Sequence, residues 1–490
     1  MAFQAAYKAF TDPESVIRNM SQEQKIEFFS MCWAYYRSTM FSRRDDVTAW
    51  VAYLAARELY KHTRLIYNPV PQIVDFYVDN IWQPANDPVF ESLVTPLTNN
   101  TDDKIKGAVA QLDQWGNWLS DMQIVKRYAA ATGNVLIEGI DDLDREKVTH
   151  KTIWPGYVKE LELSASGDVL AYTLEYDVWD SDLKKTYRYK QVVDKEKRAY
   201  FRNDKPFVPP GQTEAVEENP YGFVFAVWIK HNDDGADNGL PACKDYNKID
   251  NVNSLASHLD DYIHKAIESP KVISTKGEIV PIIGGTRNKE TGIITPEDPR
   301  LNWVVLKTEE GASVSDLSGL LDITAASPEL KRQLDSFEND YPELQANSII
   351  RENSQLSGAA LERMLGPAQN RLDGVQSGYN NQLTKLRQMG IAVAGMRTKD
   401  WKQGTKQQSV FAPFNLDSYS QGQLDFHIKR SVLVQNTEVE DAELYGKKLD
   451  NVAKATGILP LDDRLMYLGI DEKRRSEIAT ELATEAYVGK

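Results

Sequence analysis

The spacing of apolar residues divides the first half of the chain into helical and extended regions. Apolar positions recur every three or four residues up to about residue 64 and again from Lys104 to Gly133, which is the repeat of an amphipathic helix, and Gly133 is a good C-cap for the second stretch. From 134 to about 230 the repeat shortens to two, with a turn signal at Gly167-Asp168. This region is therefore predicted to form an antiparallel sheet of several strands, whose many aromatic residues suit a half-buried face.

Two predicted helices with apolar stripes flank a small β-rich insertion in the middle of the chain. Residues 241–268 carry a heptad-like apolar stripe, and residues 327–346 carry a second one, with Ser327 as N-cap and Pro328 at the first helical position. Residues 269–326, between them, have short apolar runs punctuated by Gly and Pro, which is typical of strands and turns. The two helices are predicted to pack as an antiparallel pair with the insertion at its far tip.

A polar segment, Ser348–Leu361, follows the second of these helices. From Ala359 onward the apolar positions again step by three and four, so the polar segment is predicted to be a hinge between two helices. Pro342 is expected to kink or restart the helix before the hinge, and Gly366-Pro367 to kink the helix after it. Since no catalytic partner lies near it in sequence, the hinge suits a contact surface better than an active site.

The last quarter of the chain is predicted to be mainly helical. Gln423–Leu433 alternates apolar and polar residues and is predicted to be a strand. Asn436-Thr437 then caps the first helix of a small C-terminal cluster. The whole pattern predicts an α+β protein.

Composition narrows the class of protein. The chain has 490 residues, 41% of them hydrophobic, and 57 Lys and Arg against 72 Asp and Glu, a formal charge of -15. Such an acidic chain does not clamp phosphates over a broad surface, because Lys and Arg carry that binding. Two cysteines, Cys32 and Cys243, make no disulfide or metal framework, and no apolar run is long enough to span a membrane. We expect a soluble intracellular protein without a cofactor.

Clustered oxygen ligands and adjacent carboxylates suggest two kinds of chemical site. The loop from His231 to Gly239 carries five potential oxygen ligands, but it lacks the terminal glutamate of an EF-hand, so a calcium site is the weaker interpretation. Adjacent acidic pairs such as Asp141/Asp142 and Asp260/Asp261 would be needed by a polysaccharide-acting enzyme. Adjacent carboxylates diverge, whereas glycoside hydrolysis needs two that face each other about 5 to 10 Å apart. We therefore expect no catalytic and no metal-binding residues.

Four loose motifs mark the ends of the predicted elements. They are Tyr67–Asp75, Gly133–Glu138, Gly239–Asn247 and Leu356–Leu361. The order of these motifs and the order of the predicted helices and strands are similar to those of the portal proteins of tailed bacteriophages. The resemblance covers nearly the whole chain.

The resemblance implies a division of the chain into the parts of a portal subunit. A helical wing with an antiparallel sheet would be followed by a two-helix stem that holds a small β-rich clip, and by a helical crown. The implied parts are a wing over 1–240 and again over 358–436, stem helices over 241–268 and 327–346, a clip over 269–326, a tunnel loop over 347–357 and a crown over 437–490.

The resemblance also implies a function and a set of partners. Portal subunits form a ring, usually of twelve copies, at one capsid vertex of the virion, assembled in the bacterial cytoplasm. Double-stranded DNA passes through the ring in packaging and ejection without being read in sequence. The tunnel loop, with Arg351, Asn353, Ser354 and Gln355, would line the channel. The implied partners are other copies of the chain, the large terminase, the major capsid and scaffold proteins, and a head-completion or tail adaptor protein, with no membrane involved.

Two other functions remain open from the sequence. A capsid scaffold or adaptor without a channel would share the composition and much of the element order. A polysaccharide-acting enzyme would draw on the aromatic sheet and the acidic pairs. A ring with an open bore distinguishes a portal from both.

Overall fold

The structure is a computed structural model whose described residues fall in two compact units. It describes residues 22–39, 67–82, 94–96, 102–180, 184–209, 214–267, 271–275, 285–287, 294–296, 303–307, 313–316, 323–352, 358–402, 405–428, 431–433, 446, 448–452, 454, 460–468 and 474–480. The first unit spans 1–345 and 370–431, and the second spans 346–369 and 432–490. Both are described separately below.

The described residues of both units include helices. The helices are α1 Gln22–Tyr36, α2 Val70–Asn80, α3 Asp102–Gly116, α4 Trp118–Thr132, α5 Tyr246–Ile267, α6 Ile323–Asp340, α7 Pro342–Glu352, α8 Gly358–Arg397, α9 Lys406–Ser409, α10 Leu416–Ser420 and α11 Leu461–Tyr467. No helix in these described ranges is long and apolar enough to cross a bilayer.

The region with a period of two forms antiparallel strands, as predicted, although not in the single sheet expected. Its strands are β2 Asn134–Asp142, β3 Lys147–Ile153, β4 Val158–Leu163, β5 Val169–Asp180, β6 Lys185–Val193, β7 Lys197–Arg202, β8 Lys205–Pro206, β9 Val216–Glu218 and β10 Ala226–Lys230. They make two sheets, one of order β10-β2-β3 and one of order β4-β5-β6-β7-β8 with β9 also on β7. The mixed α+β class with antiparallel sheets is therefore confirmed.

Aromatic and aliphatic side chains from both sheets meet in one core. Leu136 and Trp228 from the first sheet join Tyr172, Leu174 and Val193 from the second, and each is at most 2% exposed. Alternate residues of each strand point to this core because the side-chain period of a strand is two. The half-buried aromatic face predicted from the sequence is present here.

In the predicted insertion between α5 and α6, the residues that the structure describes form five strands. They are β11 Lys271–Thr275, β12 Gly285–Arg287, β13 Ile294–Pro296, β14 Trp303–Lys307 and β15 Ser313–Asp316. β11 pairs in parallel with β14 and antiparallel with β15, and β12 pairs with β13. One further pair of short strands, β1 Val94–Pro96 and β16 Phe426–Ile428, joins distant parts of the chain.

The two helices that flank the insertion contact each other where α5 begins and α6 ends. Lys248 Nζ, in the first turn of α5, lies 2.6 Å from Asp340 Oδ2 at the end of α6. The Tyr341 hydroxyl accepts the backbone N–H groups of Lys244 and Asp245 at 3.1 and 3.2 Å and donates to Asp245 Oδ2 at 2.7 Å. The start of α5 thus lies beside the end of α6, the arrangement expected of an antiparallel pair.

Several boundaries differ from those predicted. The helix expected from 104 to 133 is two helices, because Asn117 takes a left-handed conformation (φ 51°) between α3 and α4. α5 begins at Tyr246 rather than 241, since the backbone N–H of Ala242 is bonded to Ala130 O instead of starting a helix. Of the strand expected over Gln423–Leu433, the described residues form β16, and residues 423–425 and 431–433 are not in a strand.

The helices next to the polar segment also differ from the prediction. α6 begins at Ile323, so Ser327 is not its N-cap and Pro328 lies inside it. Pro342 restarts the helix as expected, because Tyr341 is non-helical and α7 begins at Pro342. α7 then continues to Glu352, so the first part of the predicted hinge is helical, and α8 continues through Pro367.

The second unit contains short helical segments. Within it, α11 starts after Pro460 and has no buried residue, and residues 474–480 are also helical. Arg475 Nη1 lies 3.1 Å from Asp462 Oδ1, and the backbone N–H of Leu433 donates to Gln369 Oε1 at 2.8 Å. The second contact connects residues that are 64 positions apart in sequence.

Gly133 is a position where the fold requires glycine. It ends α4 with φ 92°, as its place after the apolar stripe predicts, and a Cβ there would collide with the backbone carbonyl of Gly239. Gly222 also has a positive φ of 74°, but a Cβ there would meet nothing within 4 Å.

We expect Gly133→Ala to destabilise the protein far more than Gly222→Ala. In both variants the left-handed conformation destabilises the alanine by about 1 to 2 kcal/mol. Only at Gly133 does the collision of the new Cβ with the Gly239 carbonyl add to this loss. Chemical denaturation of both variants measures the difference. Equal losses would show that the Gly239 backbone moves aside at little cost.

Candidate functional site

The sequence-predicted channel residues lie at the junction after α7. Arg351 is the penultimate residue of that helix, and its side chain lies outside the described residues. Asn353, Ser354 and Gln355 also lie outside them. The structure does describe the beginning of α7, the helix that precedes this segment.

A buried carboxylate fixes the first turn of α7. The Glu343 side chain is fully buried, and Tyr77 Oη donates to its Oε1 at 2.6 Å. Arg371 of α8 approaches the same oxygen with Nη1 at 3.3 Å and donates from Nη2 to the carbonyl oxygen of Asp340 at 2.6 Å. One guanidinium therefore ties α8 both to the last residue of α6 and to the first turn of α7. We call Tyr77, Glu343 and Arg371 the α7 clamp.

The α7 clamp is favourable for two electrostatic reasons. A carboxylate in the first turn of a helix faces the positive end of the helix dipole. A buried carboxylate also needs hydrogen-bond donors, and Tyr77 and Arg371 supply them. The Tyr341 ring lies 5.7 Å from the Arg371 guanidinium, which adds a cation–π contact. Burial and the neighbouring Glu343 carboxylate raise the pKa of the Tyr77 hydroxyl, so it stays a donor.

A second buried ion pair holds α8 against α3. Arg387 and Asp113 are in contact, with side chains only 4% and 7% exposed, and the guanidinium also lies 4.4 Å from the Trp118 ring centroid. Burial raises the pKa of Asp113 to about 7, although Arg387 acts to lower it. Burial likewise lowers the pKa of Arg387. For both groups desolvation outweighs the attraction between them.

The buried His231, which directly follows β10, contacts α8. His231 Nδ1 lies 2.9 Å from the Tyr379 hydroxyl, and the ring of Tyr77 packs edge-on against the imidazole at a centroid distance of 4.5 Å. Burial lowers the pKa of His231 to about 3, so the ring is neutral near pH 7. The α7 clamp and this histidine therefore share Tyr77.

A wide polar cleft runs along the exposed side of α8 in the first unit. Its volume is about 1120 Å³, and it is bordered by the β4–β5 turn, the loop after β10 and β16. Amide side chains of α8 line one wall, namely Gln376, Asn380, Asn381, Gln382 and Gln388. Gln376 is 1% exposed, and neither its amide nitrogen nor its amide oxygen has a hydrogen-bond partner among the described residues.

The loop from His231 to Gly239 and the Asp141/Asp142 pair have structural contacts, whereas the side chains of Asp260 and Asp261 lie outside the described residues. In the loop from His231 to Gly239, Asp233 Oδ1 accepts from Gly235 N at 2.9 Å and faces Lys230 Nζ at 3.3 Å. Asp141 Oδ2 accepts from Arg397 Nε at 2.7 Å and from Tyr221 Oη at 2.6 Å. Across the ranges that the structure describes, no group of three His, Cys, Asp or Glu residues could hold a metal ion. Both cysteines are buried and free.

Sequence reasoning missed the α7 clamp and the cleft. Pro342-Glu343 carries a local signal, since proline followed by an acidic residue is typical of a first helical turn. Nothing in the sequence indicates that Tyr77 and Arg371, which are 266 and 28 residues from Glu343, supply its partners.

Comparisons with known proteins give no assignment. The chain matches no protein-family model, and a search of curated proteins finds no sequence similar to it.

We expect Arg371→Gln to destabilise the protein by about 2 kcal/mol, because the substitution removes the cation that faces the buried Glu343 carboxylate. The arginine side chain is partly exposed, so the loss should be smaller than for a fully buried ion pair. Glu343→Gln keeps an acceptor for Tyr77 and should cost less. Denaturation of both single variants and of the double variant measures the coupling between the two residues. The matched control is Glu329→Gln with Arg332→Gln, an exposed pair on α6 that should change stability little. Strict additivity of Arg371→Gln and Glu343→Gln would contradict the clamp.

We expect His231 to make the protein less stable as the pH falls from 7 to 5. The unfolded chain binds a proton on this histidine below about pH 6.5, whereas the folded chain does not until about pH 3, so its contribution is complete above 6.5 and is lost as the pH falls. His231→Phe should flatten the pH dependence by up to about 1.4 kcal/mol per pH unit.

The comparison with the parent protein isolates this effect. Asp113 acts with the opposite sign, because its raised pKa makes the folded chain bind a proton between about pH 4 and 7. Denaturation at pH 7, 6 and 5 should therefore be compared between variant and parent. His258→Phe, at an exposed position of α5, is the control. An unchanged pH slope in His231→Phe would refute the assignment.

Proposed function

We propose that this protein is a portal subunit of a tailed bacteriophage, a non-enzymatic chain that forms a ring through which double-stranded DNA is packaged and ejected. The observation that carries the proposal is the order and pairing of elements from α5 to α8. Two helices joined by contacts between the start of one and the end of the other flank an insertion whose described residues form five strands, and a short helix and a 40-residue helix follow. This is the order expected of stem, clip, stem, tunnel loop and wing.

The α7 clamp supports a mechanical role for the segment after α7. A loop that contacts a moving duplex must be held at its base, and Glu343 anchors the helix that leads into the loop. In this proposal Arg351, Asn353, Ser354 and Gln355 face the DNA. The single positive charge and three neutral polar groups would give weak contacts to phosphates without reading sequence.

The remaining partners follow from the same proposal. The strands of 269–326 would dock the large terminase during packaging and an adaptor of the tail afterwards. The wing would contact the major capsid and scaffold proteins at the vertex, and the second unit would contribute the crown. Motor activity would come from the terminase.

The purified protein should form closed rings. Native mass spectrometry gives the number of copies, and end-on electron microscopy shows whether the ring has an open bore. A stable monomer, or an assembly without a bore, would contradict the proposal and favour a scaffold, an adaptor or an enzyme.

Within such rings, Arg351→Gln should change DNA packaging or retention and leave ring assembly intact. The reason is that the substitution removes the only charge of the four channel residues. Packaged DNA length per particle is the measurement. Arg332→Gln, which removes an exposed arginine of α6, is the matched control. Normal packaging and retention in Arg351→Gln would remove this residue from the mechanism.

A further inference from the structure

A cavity lined by aromatic rings lies in the first unit, where α1 and α4 approach β3 and β5. Its volume is about 490 Å³. Five aromatic side chains line it, namely Trp33, Tyr128, Trp154, Tyr157 and Tyr176. None of them belongs to the α7 clamp or to the polar cleft along α8. We call this cavity the aromatic pocket.

Three of the rings hold one another in place. Trp33, Tyr128 and Trp154 contact each other edge to face, with ring centroids 4.9 to 5.3 Å apart, which is a favourable arrangement for aromatic pairs. Gly156 allows the indole of Trp154 to lie against the backbone, because a Cβ at position 156 would collide with Trp154 Nε1. This part of the lining is therefore ordered before any ligand binds.

The other two rings form a stacked pair. The rings of Tyr157 and Tyr176 have centroids 4.6 Å apart and planes inclined by 27°. The backbone N–H of Tyr157 donates to Trp154 O at 3.0 Å, so one tight turn supplies a ring to each group. Tyr157 is 43% exposed, whereas Ile153 and Leu174, which also line the pocket, are 3% and 2% exposed. The pocket thus has an apolar inner end and an accessible aromatic side.

The polar atoms of the five rings are available to a ligand. The two indole N–H groups and the three hydroxyls are not hydrogen-bonded to other described residues, and none of these atoms is buried. An indole N–H can only donate. Burial raises the pKa values of Tyr128 and Tyr176, so their hydroxyls stay protonated and can donate at neutral pH. The pocket therefore offers mainly hydrogen-bond donors.

The charged groups near the pocket leave one cation unpaired. Among the described residues that line it, Lys151 is the only charged one, and it is exposed and forms no salt bridge with another described residue. The neighbouring carboxylates are engaged. Glu175 lies 3.1 and 3.2 Å from Lys159 and Arg188, and Asp121 accepts from the lining threonine at 3.5 Å.

This lining disfavours three common classes of ligand. A sugar brings a donor on every hydroxyl, but no Asp, Glu, Asn or Gln is present among the described residues of the lining to accept from it. An organic cation would be attracted to the ring faces and repelled by Lys151. A nucleic acid would meet a single lysine on a chain of formal charge -15.

Proline matches the same lining in each respect. Its apolar ring can pack against aromatic rings, and its peptide unit has an acceptor carbonyl but no N–H group that needs an acceptor. Proline-rich segments also adopt the polyproline II conformation before they bind, and aromatic-lined grooves commonly recognise them for this reason. An acidic residue beside the prolines would pair with Lys151.

We infer that the aromatic pocket binds an extended, proline-rich segment of a partner protein that carries an acidic residue next to its prolines. Proline rings pack against the aromatic side chains, the indole and hydroxyl groups donate to the carbonyls of the segment, and the acidic side chain pairs with Lys151. The pocket lies within the first unit, so the inference does not depend on the proposed ring.

Binding of a synthetic peptide tests the inference. The probe is a short oligoproline peptide with one glutamate and both ends blocked, and the measurement is calorimetric titration. Tyr157→Ala should weaken binding about tenfold or more, because it removes the most exposed ring of the lining. Trp154→Phe keeps a ring but removes an N–H donor, and should weaken binding about fivefold.

Two controls accompany these variants. Tyr467→Ala removes a tyrosine that is 54% exposed on α11 and should leave the affinity unchanged. Denaturation of Tyr157→Ala should match that of the parent protein, which shows that the loss of affinity is local. If Tyr157→Ala remains folded and binds the peptide as the parent protein does, the pocket is not the binding site.

Charge reversal tests the role of Lys151. Lys151→Glu should weaken binding of the peptide that contains glutamate and leave binding of uncharged oligoproline unchanged. Lys147→Glu, at an exposed position on the same strand, is the matched control and should affect neither peptide. Equal affinity of Lys151→Glu and the parent protein for the peptide with glutamate would contradict the acidic residue in the inferred segment.

Three further ligands decide the class of the occupant. They are a peptide in which alanine replaces every proline, maltose and tetramethylammonium. Equal binding of the alanine peptide, or no binding of the proline peptide, overturns the inference. Binding of maltose or tetramethylammonium that is lost in Tyr157→Ala assigns the pocket to a sugar or a cation and also overturns it. Ring formation is measured separately by electron microscopy, so either result leaves the portal proposal to its own test.

Discussion

The polar side chains of α8 are the constraint that holds the first unit together. From residue 371 to 397 this helix carries a series of charged or polar groups that reach other elements: Arg371 to Glu343, Tyr379 to His231, Asn380 to Trp82, Lys385 to Asp168, Arg387 to Asp113 and Arg397 to Asp141. Each buried member of these pairs is costly without its partner. These pairs therefore fix α8 against the helices and strands that carry the partner residues.

The sequence predicted the features that local chemistry determines. The period-two region became antiparallel sheets, Gly133 ended α4 in the left-handed conformation, and Pro342 restarted a helix. In each case the backbone of a few consecutive residues decides the result. The heptad-like stripes also predicted that α5 and α6 would lie together, and the contacts of Lys248 and Tyr341 agree with that expectation.

The features that escaped prediction depend on distant partners or on small differences in energy. Asn117 separates α3 from α4 because asparagine tolerates positive φ, which the apolar stripe around it does not reveal. α6 begins before Pro328 and includes Ala325 and Ala326, which favour helix, although an interior proline lacks a backbone donor and crowds the carbonyl four residues earlier. The pairing of β1 with β16, three residues each and more than 300 apart in sequence, has no local signal. The α8 cleft could not be predicted because its walls come from four separate segments.

The close approach of Gly133 and Gly239 has a consequence for how the chain is built. The backbone N–H of His231 donates to Gly133 O at 2.8 Å, and Asn134 pairs with Lys230 across β2 and β10. The whole β segment from 134 to 230 thus leaves and re-enters the helical part of the chain at one place. A segment with adjoining ends is topologically an insertion, so strands could be lengthened, added or lost within it over evolution without displacing α4 from α5.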